Sequence, residues 1–271
     1  MANRIVDVIE GKNLKKIFLD IDSIIRKVDS ARKEPEFSKE IEVRNQKNPD
    51  IITDDAGILR LFASLIAFSQ NAPSDKVEAL LQKGIFDNVF HNFEIRRVSQ
   101  INPQDIINKH WDDIKVIRFK KKVSSIVGCA KSFESIEAKY GSFVTLLKKS
   151  DIPKCVKSET DVDRFWNGFN NLKDIMEDVE MPFFRSSTSL LHFLLHIGFP
   201  CIKPDLIVMR VAKEIGIVDS EKGEGNLLRT VKVIQLYSID KDIKPSIVDL
   251  YLLIHGGQKW AMQFVTPSFY K

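Results

Sequence analysis

The residue in this chain whose type and setting most clearly suit chemistry is Asp205. In the stretch GFPCIKPDLIVMRVAKEIG it follows a proline and precedes an apolar helical run, the place of a helix N-cap. A carboxylate there lies at the positive end of the helix dipole and accepts backbone N–H bonds, which favours its charged form. That suits Asp205 to stabilising positive charge or acting as a base, and makes it a poor acid. The residues alone leave two readings open, a plain cap and a functional carboxylate. His192 and His196, four apart, have the spacing of a metal pair, but no third ligand accompanies them and their neighbours are apolar. They are expected to be core histidines. Cys129, Cys155 and Cys201 lie far apart without a C-x-x-C pair, which points to a reducing compartment and no zinc knuckle. No metal and no cofactor are expected.

The elements that must position Asp205 are helices. Upstream, Leu190, Leu191, Phe193, Leu194, Leu195 and Ile197 make a helix apolar over most of its surface, ended by Gly198. Downstream, Leu206, Val208, Met209, Ala212 and Ile215 mostly share one face, with Gly216 as the stop. Helical spacing also marks Leu14 to Val28 and Ala56 to about Gln70, after which Ser74 can cap the next helix. Asn102 is an expected N-cap with Pro103 at the first helical position, and Ser158 caps a helix containing Phe165, Trp166 and Phe169. That aromatic stripe reads as packing. Val123, Ile126, Val127, Ala130, Phe133 and Ile136 keep helical period behind the basic run of Arg118, Lys120, Lys121 and Lys122. The run is expected to be a solvated face first and a phosphate contact second. PSIVDLYLLIHGG closes the fold, with Ser246 as its cap and Asp249 three residues on. The segment from Asp29 to Asp50, charged and carrying Pro35 and Pro49, reads as a linker or exposed excursion.

At 271 residues and a formal charge of +4 the chain can bury a substantial core and accommodates, without requiring, an anionic partner. No apolar run is long enough to span a membrane, and Asp7 and Glu10 interrupt any signal peptide, so a cytoplasmic protein is expected.

Three stretches, taken together and in order, resemble the helix-hairpin-helix DNA glycosylases. The family hairpin, of the type L-P-G-x-G-x-x-T-A, corresponds to Met181 to Ser189. A Gly/Pro-rich loop follows at Gly198 to Pro204, then Asp205, then a helix with Arg210. The turn FSQNAPSDK resembles the family's S-Q-Q-x-x-D-K, and the helix after Arg118 ends in a Y-G-x-F-type stop. Residues 61 to 93 also line up without a gap with the bacterial 3-methyladenine glycosylase branch, through LF at the start and F-H-x-F at the end. Where that branch places a pocket Glu and Trp, this chain has Phe68 and Lys76, and it lacks the terminal cysteines of the branch's zinc site.

The resemblance covers roughly residues 55 to 257 and implies an all-α, two-lobed fold with the active-site cleft between lobes. Residues 1–50 would be an N-terminal helix and charged linker of unknown role. Residues 51–271 would be the glycosylase-like domain, with one lobe made of 51–70 plus 190–271 and the other of 71–189. It further implies a monomer acting on double-stranded DNA with a damaged base, an alkylated purine being the expected substrate. Asp205 would stabilise the sugar cation, and Arg185, Ser186, Ser187, Thr188 and Lys203 would contact DNA. Phe68, Ser69, Gln70, Asn71 and Trp166 would meet the lesion or wall its pocket. Ser187 stands where bifunctional members carry the Schiff-base Lys, so strand cleavage is not expected. Phe183 and Arg185 stand where the family keeps Gly, which means either a different hairpin shape or a weaker DNA contact. A DNA-binding relative without catalysis and a helical protein-interaction module remain as alternatives.

Overall fold

Helical apolar spacing is carried through into the structure, a computed structural model that describes residues 11–270 and contains no strand among them. In chain order the helices are α1 Gly11–Asp29, α2 Glu36–Gln46, α3 Asp55–Phe68, α4 Ser74–Gln82, α5 Ile85–Val89, α6 Ile95–Ser99 and α7 Pro103–Ile114. They continue with α8 Lys121–Tyr140, α9 Phe143–Lys149, α10 Glu159–Asp178, α11 Ser187–Ile197, α12 Leu206–Glu214, α13 Glu224–Lys241 and α14 Pro245–His255. Two compact units emerge, one of residues 11–49, 152–168 and 187–270, the other of residues 50–151 and 169–186.

This division departs from the expected lobes in three places, the first being residues 152–168, which fall in the first unit and not with the rest of 71–189. Residues 50–70 belong with α4 to α9, because α3 packs along α8. The segment after Asp29 is not a linker: it forms α2, whose Phe37 and Arg44 are buried.

In the first unit α14 is enclosed, with Ile247, Val248, Leu250, Tyr251, Leu252 and Ile254 all buried. One row of α1 (Ile17, Ile21, Ile24, Val28) is buried, and α1 packs against α14. Tyrosine hydroxyls fix its placement, Tyr237 donating to Asp22 at 2.6 Å and Tyr251 to Asp29 at 2.8 Å. Between α11 and the loop after it, Gly198 sits at φ +98°, and a Cβ there would lie 2.7 Å from the Lys47 carbonyl carbon. Only glycine lets the end of α2's segment approach so closely.

The second unit is built on rings. Phe62 of α3 stacks on Phe184 at 3.7 Å and meets Phe133 and Phe143 edge-on at 5.6 Å. Asp54 caps α3 by accepting from the Gly57 N–H at 2.7 Å. Asp55 reaches across to accept from the Phe143 and Val144 N–H groups at 2.8 and 2.9 Å, supplying α9 with a carboxylate at its positive end.

The expected caps at Asn102 and Ser158 are in place, accepting from Gln104 and Asp161. Two others differ. Ser74 and Ser246 lie inside the first turns of α4 and α14, preceded by Pro73 as N-cap and by Pro245 as first helical residue. Proline's fixed φ starts each turn and displaces the serine inward.

Candidate active site

Asp205 is built as a fixed carboxylate. Its backbone is extended (φ −84°, ψ 179°), and Oδ1 accepts from the Ile207 and Val208 N–H groups at 3.0 and 3.2 Å. Oδ2 lies 3.8 Å from Lys203 Nζ, and the side chain remains 28% exposed. One oxygen is thus consumed by the cap while the other faces a cation and solvent. A carboxylate so held needs no reorganisation to meet a developing positive charge.

The loop ahead of it is tied down along its length. Gln235, wholly buried, donates through Nε2 to the Pro200 carbonyl at 2.7 Å and accepts from the Trp166 indole N–H at 3.0 Å. Trp166 is therefore a packed and hydrogen-bonded residue of the first unit. Past the loop, Arg210 of α12 donates to the Gly256 carbonyl at 2.6 Å.

The hairpin joining α10 to α11 is seated on α8. A Cβ on Gly128 would lie 2.7 Å from Pro182 Cγ, and Ser132 donates to the Val179 carbonyl at 3.0 Å. Phe183 takes the left-handed conformation (φ +66°) in place of the family glycine. The turn keeps a left-handed step without its glycine, whereas Arg185 needs none. Arg185 and Ser186 are exposed and Thr188 half-buried. Ser187 is buried and donates its hydroxyl to Glu224, so that hydroxyl is directed into the first unit.

In the second unit, Gln70 and Asn71 are exposed and both left-handed (φ 54° and 59°), while Phe68 and Ser69 are half-buried. This turn is gripped by residues of the basic run at the start of α8 and just ahead of it. Lys122 donates to the Ala67 and Ser69 carbonyls at 3.0 and 2.7 Å, and Arg118 to the Asn71 carbonyl at 2.6 Å. Burial, with Arg118 and Lys121 nearby, pushes Lys122 down to about 8. Neither the solvated face nor the phosphate contact describes Lys122, which caps the C-terminal end of α3.

The histidine pair also differs from expectation. His192 is half-buried and His196 exposed, their rings 4.8 Å apart, so they are not core residues. Surrounding protein and the positive charges of Lys203 and Lys47 nonetheless hold both below the usual imidazole range. Sequence reasoning took their apolar neighbours as their environment, but those neighbours occupy the other faces of α11.

Two residues near Asp205 have a role that sequence reasoning missed, Arg44 falling in the expected linker and Asp249 being expected only as the acid three residues after the Ser246 cap. Arg44 of α2 reaches Asp249 of α14 at 3.1 Å, and the other oxygen of Asp249 accepts from the Lys203 N–H at 3.2 Å. The available signal was an acid inside the apolar run PSIVDLYLLIH, since a charge buried there demands a partner. Burial pushes the Asp249 carboxyl up and Arg44 pulls it back.

A helical hairpin leading through a buried helix and a proline-bearing loop to a capped carboxylate places the chain in the helix-hairpin-helix glycosylase class. More particularly, the chain belongs to the methyladenine glycosylase family, whose model matches residues 52–220. It is accordingly a DNA glycosylase, an enzyme that hydrolyses the N-glycosidic bond of an alkylated purine in base excision repair. Among solved structures it is similar to a glutamate-to-glutamine mutant of 3-methyladenine DNA glycosylase I from Staphylococcus aureus. That match has 20% identity and a TM-score of 0.47, over 62% of this chain and 88% of that one. It is also similar to a structure of the same enzyme described as showing 3-methyladenine recognition, at 21% identity and a TM-score of 0.43 over 65% and 84% of the two chains. No curated protein matches it. No helix among the described residues is long and apolar enough to cross a membrane.

Proposed function

We propose that the chain is a monofunctional glycosylase acting on duplex DNA, with Asp205 as the carboxylate that stabilises the sugar. Breaking an N-glycosidic bond builds positive charge on the sugar ring, and a preorganised anion beside it lowers the barrier. The observation that carries this reading is the division of labour between the two Asp205 oxygens, Oδ1 held by two backbone N–H groups and Oδ2 left toward Lys203 and solvent. Such a group can also orient the attacking water. The target base must first leave the helix stack, at a cost of a few kcal/mol that is least for damaged or mispaired bases.

Monofunctionality is supported at the hairpin, where Ser187 occupies the Schiff-base position and its hydroxyl is committed to Glu224. Phe68 in place of the pocket Glu removes an acid that could read the base edge. Selection then falls on bases that already carry positive charge and leave easily, which supports an alkylated purine. Arg185, Ser186, Thr188 and Lys203 are the DNA contacts, and Gln70 and Asn71 meet the space left by the extruded base, Gln70 both donating and accepting.

The test is base release from alkylated duplex DNA by the wild type and by Asp205→Asn, with abasic sites detected by alkali. Wild type should release base without cutting the strand, and the variant should lose on the order of 100- to 1,000-fold in rate. Undiminished release by Asp205→Asn would overturn the role given to that residue; strand scission without alkali would overturn monofunctionality.

A further inference from the structure

Residues on both sides of the family-matched segment close around the loop that delivers Asp205. Arg44 precedes that segment and Asp249 follows it, 205 positions apart in sequence. Arg44 is 9% exposed and donates from two of its nitrogens: Nε to Glu40 at 2.7 Å, Nη1 to the Ser246 carbonyl at 2.5 Å and to Asp249 Oδ2 at 3.1 Å. Asp249, 2% exposed, turns its second oxygen to the Lys203 N–H at 3.2 Å. The carbonyl of the same Lys203 accepts from the Asp205 N–H at 2.8 Å. An unbroken path of hydrogen bonds thus runs from α2 through α14 to the backbone of Asp205.

A buried ion pair is a poor source of stability, because desolvation consumes most of its attraction and apolar replacements often serve as well. What it does supply is direction, since both partners accept only one geometry. The Lys47–Asn48 backbone packed onto Gly198, and Gln235 bonded to Pro200, fix the rest of the loop but reach neither Lys203 nor Asp205. We propose that Arg44 and Asp249 are positioning residues for Asp205, holding the Lys203 peptide so that the carboxylate points at the sugar. The inference rests on the role given to Asp205 above. It also assigns a task to the N-terminal segment, which contributes the aiming cation, as α14 contributes the aiming carboxylate, for an Asp205 that lies within the family-matched residues.

The experiment measures single-turnover base release and duplex affinity separately, on the full chain, for Arg44→Met/Asp249→Leu, for Asp249→Asn and for Asp205→Asn. Replacing both charges removes the path without leaving either member of the Arg44–Asp249 pair as a lone buried ion; the Ser246 carbonyl and the Lys203 N–H lose their partners, so the double variant should melt below the wild type yet remain folded at the assay temperature. Its release rate should nevertheless fall on the order of 10- to 100-fold with duplex affinity unchanged, the signature of a misplaced reacting group. Asp249→Asn is the near-isosteric variant that serves should the double variant not fold. Its amide oxygen can still accept from Lys203, but its amide nitrogen then meets the Arg44 guanidinium donor to donor, so its rate should fall by about three- to tenfold. Wild-type release rates in the folded variants, with release lost in Asp205→Asn, would overturn the inference alone. Full release by Asp205→Asn would overturn the role of that carboxylate and the inference with it.

Discussion

Phe183 shows what a single residue can cost. A side chain in the left-handed region costs roughly 1–2 kcal/mol, and here the edge-on contact of its ring with Phe184, itself stacked on Phe62, keeps it there. Replacing it by Gly relieves the strain but loses the ring contact and frees the unfolded chain, so the unfolding free energy from urea titration should change by no more than about 1 kcal/mol. Phe183→Val should lose about 2 kcal/mol, because a β-branched residue tolerates that φ least. Equal effects of the two substitutions would mean that φ is not what matters there. Asp205 was legible at this scale because a cap is a local device: proline before, apolar helix after, acid between. Phe183 was legible only as a missing glycine, since a positive φ leaves no mark when the residue that usually signals it is absent.

At the scale of elements, α8 is the support of the second unit, carrying the hairpin on Gly128 and Ser132 and the 69–71 turn on Lys122. Removing the Lys122 ammonium orphans the Ala67 and Ser69 carbonyls, so Lys122→Met should lower stability by about 2–3 kcal/mol. The pH dependence has a definite sign. With the folded pKa pushed down to about 8 from 10.5, the unfolded chain holds the extra proton between those values. The wild type therefore gains stability as pH rises from 8 to 10.5, and the deficit of Lys122→Met should widen there, as denaturant titrations at pH 7.5 and 10 would show. A deficit that stays constant would mean the ammonium is not desolvated. The helix behind the basic run was readable from its apolar period. The inward turn of Lys122 was not, because the carbonyls it caps lie more than fifty positions away. For the same reason α2 passed as a linker: its sequence EFSKEIEVRNQ carries few apolar residues, and what buries it is Phe37 against Tyr251 and a cation whose partner is Asp249, both partners on α14.

For the molecule as a whole, acid is the condition to which the first unit should be most sensitive. His192 and His196 are held neutral by surrounding protein and by the cations Lys203, Lys47 and Arg44, and unfolding restores them to about 6.5. Their contribution is present above that pH and is lost as pH falls below it, since the unfolded chain then takes up protons that the native state refuses. Each imidazole can contribute at most about 1.4 kcal/mol per pH unit, less for His196, whose open edge is screened by solvent. Stability at pH 5.5 should fall below that at pH 7.5, and His192→Gln/His196→Gln should narrow the gap. An unchanged gap would assign the acid sensitivity elsewhere.

The threading of the chain places a demand on its synthesis. Arg44 and Asp249 are separated by 205 positions, so a ribosome working at roughly 5–20 residues per second completes Asp249 some 10–40 seconds after Arg44. For most of that interval Ile17, Ile21 and Phe37 have neither α13 nor α14 to cover them, whereas residues 50–151, most of the second unit, are complete about halfway through it. The residues of α1 and α2 thus wait for α14 to find their places, and the nascent first unit depends on other means of shielding its apolar face until that helix has been made.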